Sequence, residues 1–160
     1  MADLKNTALV FEKRLPPVTR RPVPARWEET ESRLEVAVVF TSPAATLAAV
    51  RKAGVLACPL NAHISLLLPQ VVPYPVPLES PPVLLDFSEH CLGEIAAHSA
   101  VPTAVHIYLC RDAAGTLQSV LAPHSLVVIG GRKCWWPTRE QKLTRNLLRS
   151  GHEVIFIETE

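Results

Sequence analysis

Residues suited to redox or metal chemistry are few in this chain, and they are scattered. Its 160 residues include only four cysteines, at positions 58, 91, 110 and 134, and no C-x-x-C pair. This spacing excludes a zinc ribbon and a secreted disulfide framework. None of the six histidines falls in an H-x3–5-H or H-E-x-x-H pattern. The sequence therefore predicts reduced thiols and no metal.

Long apolar runs and an excess of one charge are also absent. Runs such as residues 64–68 and 126–129 are far shorter than the ~20 residues needed to span a bilayer. The first seven residues, MADLKNT, lack the apolar core of a signal peptide. We therefore expect a cytoplasmic protein that does not associate with membranes. With 16 basic and 15 acidic residues, the formal charge of +1 predicts no nucleic-acid partner.

Residues 1–33 differ in composition from the rest of the chain. The stretch LPPVTRRPVPARWEETESR carries prolines and charges with little periodic apolar content. It predicts a flexible Pro/Arg-rich segment, either a tail or a linker. A short apolar patch at residues 8–11 is the one part that could add a strand or pack on a partner. Residues 34–160 are expected to form a single domain.

From residue 34 onward, strand and helix patterns alternate. A strand covered on both faces is indicated by the nearly continuous β-branched run 36–40. Together the patterns predict strands at 36–40, 64–72, 104–110, 126–129 and 153–157, and helices at 44–58, 84–97, 113–121 and 138–149. Such alternation favours an α/β fold: a parallel sheet with helices on both faces and right-handed crossovers. The third strand alternates apolar and polar residues, which predicts a position at a sheet edge.

The last helix has the clearest boundaries. Thr138 and Gln141 fit a capping box, in which the threonine hydroxyl accepts from the N–H three residues ahead. Gly151 is placed to end the helix. We therefore expect this helix to begin and end at these residues.

Four stretches together resemble the universal stress protein family: VAVVF, ISLLLPQVVPYPVPL, SLVVIGGRK and HEVIFIE. The resemblance runs from about Val36 to Glu158. It implies a Rossmann-like, five-stranded parallel sheet in the order 3-2-1-4-5, as in universal stress proteins and adenine nucleotide alpha hydrolases. Ligands in such sheets bind at the switch point outside the carboxyl ends of strands 1 and 4, here after Phe40 and Ile129.

The family's nucleotide-binding pattern is broken in this sequence. ATP-binding members carry Gly-x2-Gly-x9-Gly-(Ser/Thr) after the fourth strand. Counted from Gly130, the three later positions are Lys133, Leu143 and Thr144. The acidic residue that members carry at the end of the first strand is also missing, because Phe40 and Thr41 stand there. The resemblance therefore implies a non-ATP-binding relative without a cofactor.

An alternative interpretation keeps a ligand site at the same place. Gly130, Gly131, Arg132, Lys133 and Thr138 combine glycines, cations and a helix start, which together could hold the phosphate of ATP or AMP. The competing interpretation is a turn surrounded by solvated cations. A third hypothesis is a hydrolase or transferase that uses this anion site.

Trp135 and Trp136 are open to two interpretations. Beside basic residues, a Trp-Trp-Pro loop could stack on a base or anchor a partner. Alternatively, both rings pack over the carboxyl end of the sheet. Catalysis is not predicted, because Cys110, followed by Arg111 and Asp112, has no positioned base in the sequence.

The final strand predicts an interface. Val154, Ile155, Phe156 and Ile157 form an apolar run at an expected sheet edge, and such an edge pairs unless it is covered. In the universal stress family this strand commonly mediates dimerisation. We therefore expect a homodimer through residues 152–158, with Trp135 and Trp136 among the interface residues. The resulting hypothesis is a dimeric, non-catalytic regulatory or interaction module of the stress response.

Overall fold

A computed structural model of the chain describes residues 11–18, 34–78 and 85–160. These residues form six strands: β1 (Phe11–Val18), β2 (Glu35–Val39), β3 (His63–Val71), β4 (Thr103–Cys110), β5 (Leu126–Arg132) and β6 (Glu153–Thr159). They also form four α-helices: α1 (Pro43–Ala57), α2 (Leu85–Ala97), α3 (Ala113–Val120) and α4 (Arg139–Arg149). A single 3-10 turn, Cys58–Leu60, follows α1.

The strands form one sheet in the order β1-β4-β3-β2-β5-β6. Strands β2 to β6 are parallel to one another. Numbered from β2, their order is 3-2-1-4-5, which confirms the predicted α/β fold and strand order. The central strand is β2, where Val38 lies opposite Leu66 on one side and Val128 on the other.

Strand β1 changes two expectations, one about the N-terminal segment and one about which strand lies at the edge of the sheet. It pairs antiparallel with β4, and Phe11 lies opposite Leu109. Residues 11–18 are thus a strand within the segment expected to be flexible; the rest of residues 1–33 lies outside the described residues. Because β1 covers β4, the prediction that the third parallel strand lies at a sheet edge was wrong. Edge strands tolerate prolines, which explains how residues 16 and 17 fit here.

The helices cover both faces of the sheet. Alternate residues of β2 point to opposite faces, so Val36 and Val38 pack in one cluster with Ala49 of α1. Ala37 and Val39 pack in a second cluster, with the side chains of α3 and α4. Helices α1 and α2 therefore lie on one face, and α3 and α4 on the other. The small residues of α1, sequence PAATLAAVRKAGVLA, let it approach the sheet closely.

Side chains and glycine fix the helix ends. Ser42 caps α1 and Asp112 caps α3. Thr138 caps α4 as predicted, because its Oγ1 accepts from the Gln141 N–H at 3.3 Å. Gly151 has φ +88 and ends α4 in a Schellman motif. Its own N–H and that of the next residue donate to the carbonyls of residues 148 and 147.

Candidate functional site

The switch point of the sheet lies where β2 and β5 end side by side. Thr41 follows β2, and its Oγ1 donates to the Gly130 carbonyl at 2.7 Å. The Thr41 N–H in turn donates to Thr46 Oγ1 at 3.1 Å. A Cβ added to Gly130 would lie 2.1 Å from the Ala45 carbonyl oxygen. The first turn of α1 therefore occupies the space directly over Gly130.

Gly131 meets a second close contact. A Cβ there would lie 2.8 Å from the Phe156 ring and 3.1 Å from Glu140 Cβ. Both glycines belong to β5, in register with Ile157 and Glu158 of β6. The strand thus continues three residues beyond the predicted end at Ile129. The glycine pair lets α1, α4 and β6 pack closely against β5.

The polar members of the candidate anion site lie at the same end of the sheet. Arg132 is the exposed last residue of β5. Lys133 Nζ lies 3.4 Å from Glu158 Oε1, but both side chains are largely exposed, so this ion pair stabilises the fold little. The Thr138 hydroxyl oxygen accepts from the first turn of α4. Arg132 thus ends a strand, Lys133 pairs with Glu158, and Thr138 caps a helix. None of these roles requires a bound anion.

The two tryptophans are both exposed, which corrects the interpretation that they cover the sheet. Trp135 is exposed over its whole surface (103%) and Trp136 over 84%. They lie in the loop between β5 and α4, where residues 132–137 are all exposed. Folding therefore leaves two adjacent large aromatic rings facing solvent.

Strand β6 is the last strand of the sheet, with β5 on one side. Its pairing with β5 runs without a register shift from Glu153 to Thr159. The four predicted interface residues, 154–157, are partly buried, and alternate ones pack in the clusters on the two faces. Within the described residues, the outer backbone edge of β6 pairs with no strand.

The Cys110–Asp112 stretch is occupied by structural contacts. Cys110 is fully buried, its thiol lies within 3.7 Å of the Gln70 carbonyl, and burial raises its pKa. The Arg111 guanidinium donates to the Val72 carbonyl at 2.8 Å and lies 4.1 Å from the Tyr74 ring centroid. Asp112 caps α3. A buried neutral thiol is a poor nucleophile.

A cavity that the sequence did not predict lies on the α3/α4 face of the sheet. Its volume is about 330 Å³, and its polar lining includes Glu35, His63, His106 and Tyr108. The His106 and Tyr108 rings stack with centroids 6.3 Å apart. The cavity exists because α3, with eight residues, is about 12 Å long and covers only part of the strands. The alternating polar residues of β4 were its signal in the sequence.

The described residues contain neither a group of metal-binding side chains nor a membrane-spanning helix. Across residues 34–78 and 85–160, no three histidine, cysteine or acidic residues are grouped closely enough to hold a metal ion. In the same part of the chain, no helix is long and apolar enough to cross a membrane.

No model of a known protein family matches the sequence, and no curated protein matches it significantly.

Proposed function

We propose that the protein is a non-catalytic regulatory or interaction module of the universal-stress type, and that it acts as a homodimer joined through β6. The observation that carries this proposal is the outer edge of β6, which pairs with no strand of the part of the chain that the structure describes. The quoted sequence stretches and the 3-2-1-4-5 strand order support the family part of the proposal.

The two ends of the sheet are protected very differently. Strand β1 contains two consecutive prolines, and its register shifts between Leu15 and Val18. Prolines and register shifts are devices that stop further strands from adding to a sheet. Strand β6, sequence EVIFIET, has no proline and no register shift against β5. Among the described strands, the sheet is therefore protected at the β1 end and unpaired at the β6 end.

A second copy of the chain is the simplest partner for this edge. Every molecule presents the same edge, and a two-fold axis makes it self-complementary. Antiparallel pairing of two β6 strands would satisfy the outward backbone groups of both and would shield the part-exposed side chains of residues 154–157. These side chains are already anchored in the two cores, so pairing would require little ordering.

The non-catalytic part of the proposal rests on how the usual ligand position is filled. Thr41 and Ala45 lie against Gly130 at the switch point, where open α/β sheets of this kind hold ligands. Both glycines are paired within the sheet. The alternative, phosphate binding by the 130–138 loop, predicts that ATP or AMP raises the melting temperature. A ligand at 100 times its Kd adds about 2.7 kcal/mol of stability, which would raise the melting temperature measurably. The module proposal instead predicts that the melting temperature does not change at millimolar nucleotide.

Light scattering coupled to size-exclusion chromatography tests the dimer. We expect a particle of twice the 17.6 kDa chain mass. Ile155→Lys and Ile157→Lys place a charge beside the outer edge of β6, and each variant that remains folded should be a monomer. Val55→Lys is the matched control, because it places the same charge on an exposed residue of α1; it should remain dimeric. A monomeric wild-type protein, or folded edge variants that stay dimeric, would refute the proposed interface.

Hydrogen exchange on the wild-type chain provides a second test that needs no substitution. An unpaired edge leaves every second β6 amide open to solvent, whereas pairing protects them all. Protection of residues 153–159 should therefore fall on dilution as the dimer dissociates. Protection in the central strand β2 should not change. Dilution-independent exchange throughout β6 would count against the dimer even if the lysine variants failed to fold.

A further inference from the structure

Helix α4 carries a cationic stripe on its exposed surface. Its four members are Arg139, Lys142, Arg145 and Arg149, all exposed. Their spacings of three, three and four residues place them on one side of a helix. The stripe begins next to the Trp135–Trp136 loop and extends about 15 Å along the helix axis.

In the part of the chain that the structure describes, no carboxylate pairs with the cations of the stripe. Within the described residues, none of its four cations, nor Arg132, makes an ion pair. The acidic residue of α4, Glu140, is part-buried, and its Cβ lies over Gly131 near the end of β5. The formal charge of +1 for the whole chain therefore hides a local excess of positive charge.

From this juxtaposition we propose that the Trp135–Trp136 loop and the α4 stripe form a binding surface for single-stranded nucleic acid. The tryptophan rings stack on unpaired bases, and the stripe contacts the backbone phosphates. Aromatic platforms beside a cationic track are the two elements that bind single strands without sequence preference. This inference goes beyond the proposed dimer and does not depend on it.

An anionic lipid surface would also attract cations and tryptophans, but it fits the structure less well. Insertion into lipid requires an apolar helix face. In α4 the apolar residues Leu143 and Leu147 pack into the cluster beneath the helix, and Leu148 is half exposed. A single half-exposed leucine does not make an apolar face, so the exposed side of α4 offers mainly charge, and the large apolar surface lies in the two rings. A flat ring at one end of a charged track matches a base followed by its phosphates.

Fluorescence anisotropy with labelled 20-nucleotide oligo(dT) and oligo(U) tests the proposal. We expect both to bind, with an affinity that falls steeply with salt. Each lost base stack weakens binding about 5- to 150-fold, so Trp135→Ala/Trp136→Ala should weaken it at least fivefold. Lys142→Gln/Arg145→Gln should also weaken binding and reduce the salt dependence. The matched control, Arg51→Gln/Lys52→Gln, removes two exposed cations from α1 on the opposite face and should leave binding unchanged.

Intrinsic fluorescence provides an independent measurement. The chain has three tryptophans, and stacking should quench the wild-type emission. The Trp135→Ala/Trp136→Ala variant, which retains Trp27, should show no quenching.

DNA and RNA are distinguished by the relative affinities for oligo(dT) and oligo(U). Equal affinities indicate that the protein does not contact the 2′-hydroxyl.

Inorganic polyphosphate serves as a polyanion without bases. If it competes as well as the oligonucleotides and the tryptophan variant binds like wild type, base stacking is refuted. Binding to phosphatidylglycerol vesicles without oligonucleotide binding would overturn the proposal in favour of a lipid surface. Neither result bears on the oligomeric state, so failure here and failure of the dimer are distinguishable.

Discussion

Replacing Gly130 with alanine tests the close packing of α1 against β5. The added Cβ would lie 2.1 Å from the Ala45 carbonyl oxygen and 2.6 Å from its carbon. Favourable contacts between such atoms are about 3.5 Å or longer, so the two backbones have to separate. No flexible side chain can rotate away, because the nearest atoms belong to the α1 backbone. The Thr41–Gly130 hydrogen bond would be strained by the same movement.

The expected loss of stability follows from these contacts. Overpacking a core costs about 1–3 kcal/mol, and the upper end applies where backbone must move. Loss of one hydrogen bond adds roughly 1 kcal/mol. We therefore expect Gly130→Ala to lower the free energy of unfolding by about 3–4 kcal/mol. For a chain of this size that corresponds to a fall in Tm of about 6–16 °C.

Urea unfolding followed by circular dichroism measures this difference, and Gly93→Ala is the control. Gly93 lies within α2, and a Cβ there has no neighbour within 4 Å. The same substitution should therefore stabilise the protein by about 0.5–1 kcal/mol through helix propensity. Opposite signs for the two variants are the expected result. A Gly130→Ala protein within about 0.5 kcal/mol of wild type would refute the close approach of α1 to β5.

Two further predictions concern α3 and the thiols. Asp112→Ala should lower stability by about 1 kcal/mol in urea unfolding, because it removes the acceptor for the two α3 N–H groups at 3.2 and 2.9 Å; an unchanged midpoint would show that the cap contributes nothing. In the native protein a thiol reagent should label the exposed Cys58 and Cys134 rapidly. It should label Cys110 only after unfolding, since burial raises that thiol's pKa; rapid native labelling of Cys110 would contradict its burial.

Most of the fold could be predicted because its signals are local. Apolar runs and their periods fixed five strands and four helices to within a few residues. The cap at Thr138 and the stop at Gly151 were visible because both depend on neighbours within one turn of the helix. Strand order followed from the family resemblance, and the structure has that order.

Strand β1 could not be predicted because its structure depends on a distant partner. Its prolines and charges are typical of a loop, and only pairing with β4 makes it a strand. The alternation of β4 was real but had another cause. His106 and Tyr108 face a cavity under the short α3, so polar residues alternate in β4 without its being at an edge.

The candidate site also depends on contacts between residues that are distant in the sequence. The glycine pair and its cations suggested an anion site, and sequence alone could not show that Ala45, 85 residues away, lies over Gly130. Likewise, adjacent tryptophans are compatible with burial or exposure, because ring packing depends on what other elements leave uncovered. The sequence located the residues around the switch point. Only tertiary packing shows whether a glycine leaves room for a ligand or for a neighbouring helix, as Gly130 does for α1.

The two proposals meet at α4. Antiparallel pairing of β6 strands requires a two-fold axis perpendicular to the sheet, since that operation reverses the strand while continuing the sheet. It leaves both copies of α4, which packs on β5 and β6, on the same face beside the join. The two cationic stripes then run antiparallel, with a Trp135–Trp136 loop at each far end. Under the two proposals, a single strand long enough to reach both would gain affinity from the second contact without any new side chain. Extending the sheet at β6 would then double the binding surface, which gives a reason why β6 lacks the prolines that β1 carries.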